Sequence, residues 1–145
     1  MVSEKNGAWG QAIEVAGALN AGAEQPGGGV ASVSCTSAGN CAAGGSYGYP
    51  YRMAFVINEK NGVWGKAIYT GPPAQISDVG SVSCASPGNC VAAGRYFDGN
   101  GTRGFVVSEK NGVWGKAITV AGAGSVSCAP AGSCAAVGGY KVQGS

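Results

Sequence analysis

The chain has no histidine in its 145 residues. That absence removes Ser-His-Asp and Cys-His nucleophilic schemes and the common histidine-ligated zinc hydrolase sites. Charge is also scarce: charged residues are 11% of the chain, the formal net charge is +2, and there is no Lys/Arg block. Without a concentrated positive field, neither nucleic acid nor an anionic membrane surface is expected as a partner. No stretch approaches the roughly 18 consecutive apolar residues of a membrane-crossing helix, so membrane insertion is not expected either. The opening MVSEKNG is already repeat sequence, with no charged-then-apolar leader. No metal or cofactor is expected, and the paired acids of a glycoside hydrolase are missing, because Asp78, Asp98, Glu14 and Glu24 stand singly.

What is present is glycine, 28 residues of it, together with a hydrophobic fraction of 45% gathered into short bounded runs such as AFVI (54–57) and GFVV (104–107). Low net charge and bounded apolar runs argue against disorder. Glycine at this density, costing a helix about 1 kcal/mol each, argues against helices. The chain reads as strands punctuated by turns.

Two phrases alternate. VSEKNGAWGQAIEV (2–15), INEKNGVWGKAIYT (57–70) and VSEKNGVWGKAITV (107–120) interleave with SVSCTSAGNCAAGGSY (32–47), SVSCASPGNCVAAGRY (81–96) and SVSCAPAGSCAAVGGY (125–140). Trp9 to Trp64 spans 55 residues and Trp64 to Trp114 spans 50, a period suited to a four-stranded propeller blade. Within one unit, SVSC (81–84), CVAAGRY (90–96), GFVVSEK (104–110) and VWGKAITV (113–120) read as four strands. Segments 16–29 and 71–79 read as loops. Asn6-Gly7, Asn61-Gly62 and Asn111-Gly112 each predict a two-residue hairpin turn, since both positions tolerate positive φ. The small first strand suits the crowded inner end of a blade. Trp9, Trp64, Trp114, Phe55 and Phe105 would supply an aromatic layer between blades.

The phase of the repeat sets the expected architecture. The chain opens on the second half of a unit and closes on the first half of one, giving half-blade 2–15, blades 30–70 and 80–120, and half-blade 125–141 in a single repeat domain, 1–145. Three blades' worth is too little for a ring, so the expected fold is an all-β propeller of four-stranded blades, closed as six blades by a homodimer. The competing expectation is a fragment of a longer array that pairs as it can.

Six cysteines fall into three equal C-x5-C pairs: Cys35/Cys41, Cys84/Cys90 and Cys128/Cys134. Each pair straddles a turn, so its sulfurs would meet across a hairpin and three disulfides are expected, with reduced thiols as the alternative. The spacing suits neither zinc nor thioredoxin-like chemistry. Disulfides on this scale imply a secreted or extracellular protein.

Among candidate binding residues, Tyr47, Tyr96 and Tyr140 recur after the second strand, with Tyr49, Arg52, Arg95 and Arg103 beside them. Exposed aromatics stack on sugar rings, and arginine supplies directed hydrogen bonds. The plainer reading is that the repeated Tyr and Trp pack between units. Glu4, Glu59 and Glu109, each followed by Lys, read as solvated hairpin ends. Asp98–Thr102 reads as a turn rather than a calcium loop.

The motif SVSCxSxGNCxAxGxY…FVVSEKNGxWGKAI resembles the tandem repeats of exported proteins from filamentous soil bacteria, over essentially all of residues 2–141. That resemblance implies propeller-like blades and, by analogy with symmetric propeller lectins, sugar binding, although no sugar-binding residue maps across. The Gly-His…Trp-Asp pattern of WD repeats is absent. The expected function is a non-enzymatic, multivalent, lectin-like binding module, with itself and glycans as partners. The alternative is a structural or engineered self-assembling repeat with no ligand of its own. A glycan array on the soluble protein separates the two.

Overall fold

The computed structural model describes residues 1–13, 28–48 and 50–139, and these form strands and turns only. A short hairpin, β1 (Glu4–Lys5) and β2 (Ala8–Trp9), opens the chain. A first sheet follows, built from β3 (Gly28–Ser37), β4 (Asn40–Tyr47), β5 (Met53–Lys60), β6 (Val63–Trp64) and β7 (Ile68–Tyr69). The second repeats it with β8 (Ile76–Ser86), β9 (Asn89–Phe97), β10 (Thr102–Lys110), β11 (Val113–Trp114) and β12 (Ile118–Val120). A final hairpin pairs β13 (Ser125–Cys128) with β14 (Cys134–Val137). Strand order is β3-β4-β5-β6 and β8-β9-β10-β11, with β7 returning to β5 and β12 to β10. All ladders between these strands are antiparallel.

The local rules hold where a turn decides the geometry. Asn6, Asn61 and Asn111 have φ of 55°, 51° and 51°, and the following glycines 82°, 80° and 82°. Two successive positive φ values are the type I′ signature that matches the twist of a hairpin. The expected fourth strand is instead two short pieces. After the turn, Gly65 N donates to Asn58 O and Gly115 N to Ser108 O, each at 2.8 Å, and three residues, 65–67 and 115–117, separate the two short strands. The first strand is longer than SVSC. Ile76–Val79 of the expected loop extends β8, across a bulge between Val79 and Ser81.

Period-two alternation gives each sheet two buried faces. Ala42, Ala54 and Val56 of the first sheet pack with Val79, Val82, Phe105 and Val107 of the second. The alternate residues Ala43, Phe55 and Ile57 turn the other way, toward Met1 of the opening segment. On the far side of the second sheet, Ala93 packs with Val126 of β13. Phe55 and Phe105 are fully buried, each contributing about 1.5–3 kcal/mol, and face the same way in successive units. Close layering needs small residues. A Cβ on Gly44 of the first sheet would collide with the Val79 side chain of the second.

The layers therefore run hairpin, sheet, sheet, hairpin. This arrangement corrects the expectation of a closed propeller. Neither sheet closes on itself, and among the described residues the terminal hairpins pair only internally. Met1 of the opening segment packs on the outer face of the first sheet and Val126 of the last hairpin on the outer face of the second, so among the described residues the two ends do not meet. The architecture is an open all-β stack of two repeated four-stranded sheets, counting the divided fourth strand as one, and no six-bladed ring is formed.

Candidate functional site

Three pairs of facing cysteines close three hairpins as expected: Cys35–Cys41, Cys84–Cys90 and Cys128–Cys134. Each pair is in register across its ladder. The asparagine at the return of each complete hairpin ties the unit together. Asn40 Nδ2 donates to Ser37 Oγ at 3.0 Å while its Oδ1 accepts from Asn61 N at 3.3 Å. Asn89 repeats this with Ser86 Oγ at 3.0 Å and Asn111 N at 3.2 Å. These amides are therefore spent on the scaffold.

Between the two sheets, at this disulfide-bearing end, lies a cleft of about 520 Å³. Its walls include Cys41, Cys84, Cys90 and Pro87, and its polar lining includes Thr36, Asn58, Lys60, Asn111 and Glu109. Glu109 reaches it because alternation along β10 puts Phe105, Val107 and Glu109 on one face, toward the first sheet. Asn58 of β5 meets it there. The Asn58 amide donates from Nδ2 to Glu109 Oε1 and accepts at Oδ1 from Trp114 Nε1 at 3.2 Å. Glu109 is only 4% exposed, and among the described residues nothing donates to its Oε2. Burial holds its carboxyl above the usual range; the hydrogen bond from Asn58 acts the other way without reversing the shift.

The three repeat positions of this glutamate are not equivalent. Glu4 is exposed and accepts from Gly7 N within its own turn, as a solvated hairpin end should. Glu59 is half-buried. The layer preceding Glu109 offers it Asn58; Ser3 and Ser108 occupy the corresponding positions in the other units. Trp64, whose counterpart partner would be Ser3, has a buried Nε1 with no acceptor among the described residues. Sequence reading passed over Glu109 because its local context matches that of Glu4. The Asn-for-Ser difference at 58 was the available signal.

The described Tyr and Arg candidates, Tyr47, Tyr96, Arg52, Arg95 and Arg103, lie away from this cleft. Tyr96 is 8% exposed, packs on Phe105 with ring centroids 6.4 Å apart, and shares a 3.1 Å hydrogen bond with the Thr119 hydroxyl. Tyr47 is half-buried against Tyr69 at 6.2 Å; Tyr69's phenol is raised by burial first and by Tyr47 second. Arg95 and Arg103 are exposed beside Asp78 around a glycine-lined depression of about 360 Å³, and Arg103 Nε lies 3.4 Å from Asp98 Oδ2. Arg52 joins the two sheets through its backbone, donating to Gln75 O at 3.1 Å and accepting from Ser77 N at 2.8 Å. Tyr49 and Tyr140 lie outside the described residues. The structure thus brings Arg95 and Arg103 to one depression and holds the described Tyr47 and Tyr96 in the packing.

Among the described residues no group of three or more acidic or cysteine side chains is placed to hold a metal ion, and no helix is long and apolar enough to cross a membrane. No family model, no curated protein and no solved structure matches the chain.

Proposed function

We propose that the chain is a non-enzymatic, exported carbohydrate-binding module whose ligand enters the cleft between the two sheets. The observation that carries this reading is the buried Glu109 carboxylate at a cleft wall, with one oxygen held by Asn58 and the other lacking a donor among the described residues. A buried acceptor left unmade costs about 1–3 kcal/mol, more when charged, so a ligand bringing a hydroxyl donor recovers that energy on binding. Sugars supply such donors, and their C–H faces suit the disulfide and Pro87 walls. The three disulfides are consistent with secretion. Association of copies would present the cleft several times and raise avidity above the affinity of one shallow site.

A glycan array on the fluorescently labelled protein, followed by calorimetry on any hit, tests this. Selective binding that Glu109→Gln weakens about tenfold or more is expected. Binding unchanged in Glu109→Gln moves the site elsewhere, and silence across the array from protein with intact disulfides overturns the carbohydrate reading.

A further inference from the structure

One contact is made twice within the chain. The edge strands β3, β8 and β13 carry the same tetrapeptide, Ser-Val-Ser-Cys, and lie side by side in successive layers. Ser32 Oγ accepts from Val82 N and Ser34 Oγ from Cys84 N, both at 3.0 Å. One layer on, Ser81 Oγ accepts from Val126 N at 3.0 Å and Ser83 Oγ from Cys128 N at 2.9 Å. β8 is an edge strand of its sheet, and the N–H groups in question point off that edge. The serine hydroxyls of each layer thus satisfy edge amides of the next, capping donors that would otherwise meet only water.

This ladder has a direction, so it has two unlike ends. At the leading end, no side chain among the described residues accepts from Val33 N or Cys35 N, and Val33 is 48% exposed where its equivalents Val82 and Val126 are 6% and 8%. At the trailing end, Ser125 and Ser127 are exposed, whereas Ser32, Ser34, Ser81 and Ser83 are half-buried under the next layer. The half-units are unlike in the same sense. β14 is exposed throughout and, among the described residues, lacks the third strand that β4 and β9 each have; β1–β2 is a third-and-fourth-strand hairpin without a second strand among them.

We propose that copies of this chain associate head to tail, Ser125 and Ser127 of one copy accepting from the backbone N–H groups of Val33 and Cys35 of the next, with β1 of the second copy adding to the open edge of β14. The partner is a second copy because the seam is already built twice from the same tetrapeptide, so the third instance requires no new chemistry. Internal register sets the strand pairing: Cys41 faces Glu59 and Ala42 faces Asn58, so Cys134 faces Glu4 and Ala135 faces Ser3 across the contact. The contact is heterologous, since donor end meets acceptor end. Its serine–amide seam is made of neutral hydrogen bonds, which salt screens little. This deepens the self-association part of the proposed function and stands independently of what the cleft binds.

Light scattering coupled to size exclusion on the non-reduced protein, over a concentration series without glycan, tests the interface. The wild type is expected above the 14.1 kDa chain mass, at a position that 0.5 M salt does not change. Ser125→Ala/Ser127→Ala, which alters only exposed hydroxyls, is expected to weaken association about tenfold or more. Val33→Pro removes one edge donor and should do the same from the other end. An equimolar mixture of the two variants, one with a sound head and the other with a sound tail, is expected to form a 1:1 pair and stop there. A wild type that stays at 14.1 kDa at every concentration overturns the proposal. So does a serine double variant that associates as the wild type does; should Val33→Pro misfold, the serine variant alone decides. Loss of association with glycan binding retained, or the reverse, shows which of the two readings has failed.

Discussion

Glu109, Glu59 and Glu4 share one repeat position, and only their surroundings separate a surface carboxylate from a buried one. Burial raises the folded-state pKa of Glu109 above its unfolded value. A group shifted that way favours folding below its unfolded pKa and loses that contribution as pH rises through the folded pKa. Ionised Glu109 therefore weakens the fold at neutral pH. Glu109→Gln is expected to melt higher than the wild type at pH 7, with the gap narrowing toward about pH 4 as the wild type takes up its proton; a lower melting temperature for the variant at pH 7 would sink this account. Asn58→Ala strips both Glu109 and Trp114 of their partner and should cost about 2–3 kcal/mol in urea denaturation. A loss near zero would mean that water replaces the amide at no cost. None of this was legible from Glu109 and its neighbours in sequence, which predict a solvated Glu-Lys pair. The contact that buries it comes from a residue 51 positions earlier, in another layer.

Hairpins were the most readable elements, because their determinants are local. The Asn-Gly turns demand positive φ, and the C-x5-C spacing places two sulfurs across one turn. Both carry predictions. Asn111→Ala should destabilise by about 1 kcal/mol, the cost of holding a residue with an ordinary side chain near φ 51°. Joint replacement of Cys84 and Cys90 by Ala should lower unfolding stability by about 2 kcal/mol, the loop-closure entropy of so short a ring, and a shift in the urea midpoint reads it. An unchanged midpoint would show that β8 and β9 hold their register without the bond. The divided fourth strand was not readable. VWGKAITV looks continuous, but Gly115 makes its hydrogen bond to Ser108 and sends the next residues out of the ladder. The early start of β8 was hidden for the opposite reason: Ile76–Val79 sits in a Gly- and Pro-rich stretch, and burial of Val79 against the first sheet holds it extended.

At the scale of the molecule, the repeat period identified the layers but not the path they follow. Strand content is set within a unit, whereas closure depends on the rotation from one layer to the next, which the seam determines through glycine contacts and the serine ladder. An open stack is quasi-one-dimensional, each layer contacting its neighbours only, so protection from exchange should follow the layers rather than the strands. Val82 and Cys84 lie on an edge strand, where amides ordinarily exchange fast, yet a serine hydroxyl covers each of them. Hydrogen exchange on dilute protein should find these two amides slow and those of Val33 and Cys35 fast, although the four occupy equivalent places in identical tetrapeptides. Ser32→Ala/Ser34→Ala should speed exchange at Val82 and Cys84 about tenfold while leaving the central amides of β10 unchanged. Raising the protein concentration should then slow Val33 and Cys35 as a neighbouring copy's serines reach them. Equal protection at all four amides in the monomer would show that the strand edge, not the serine ladder, governs their exposure.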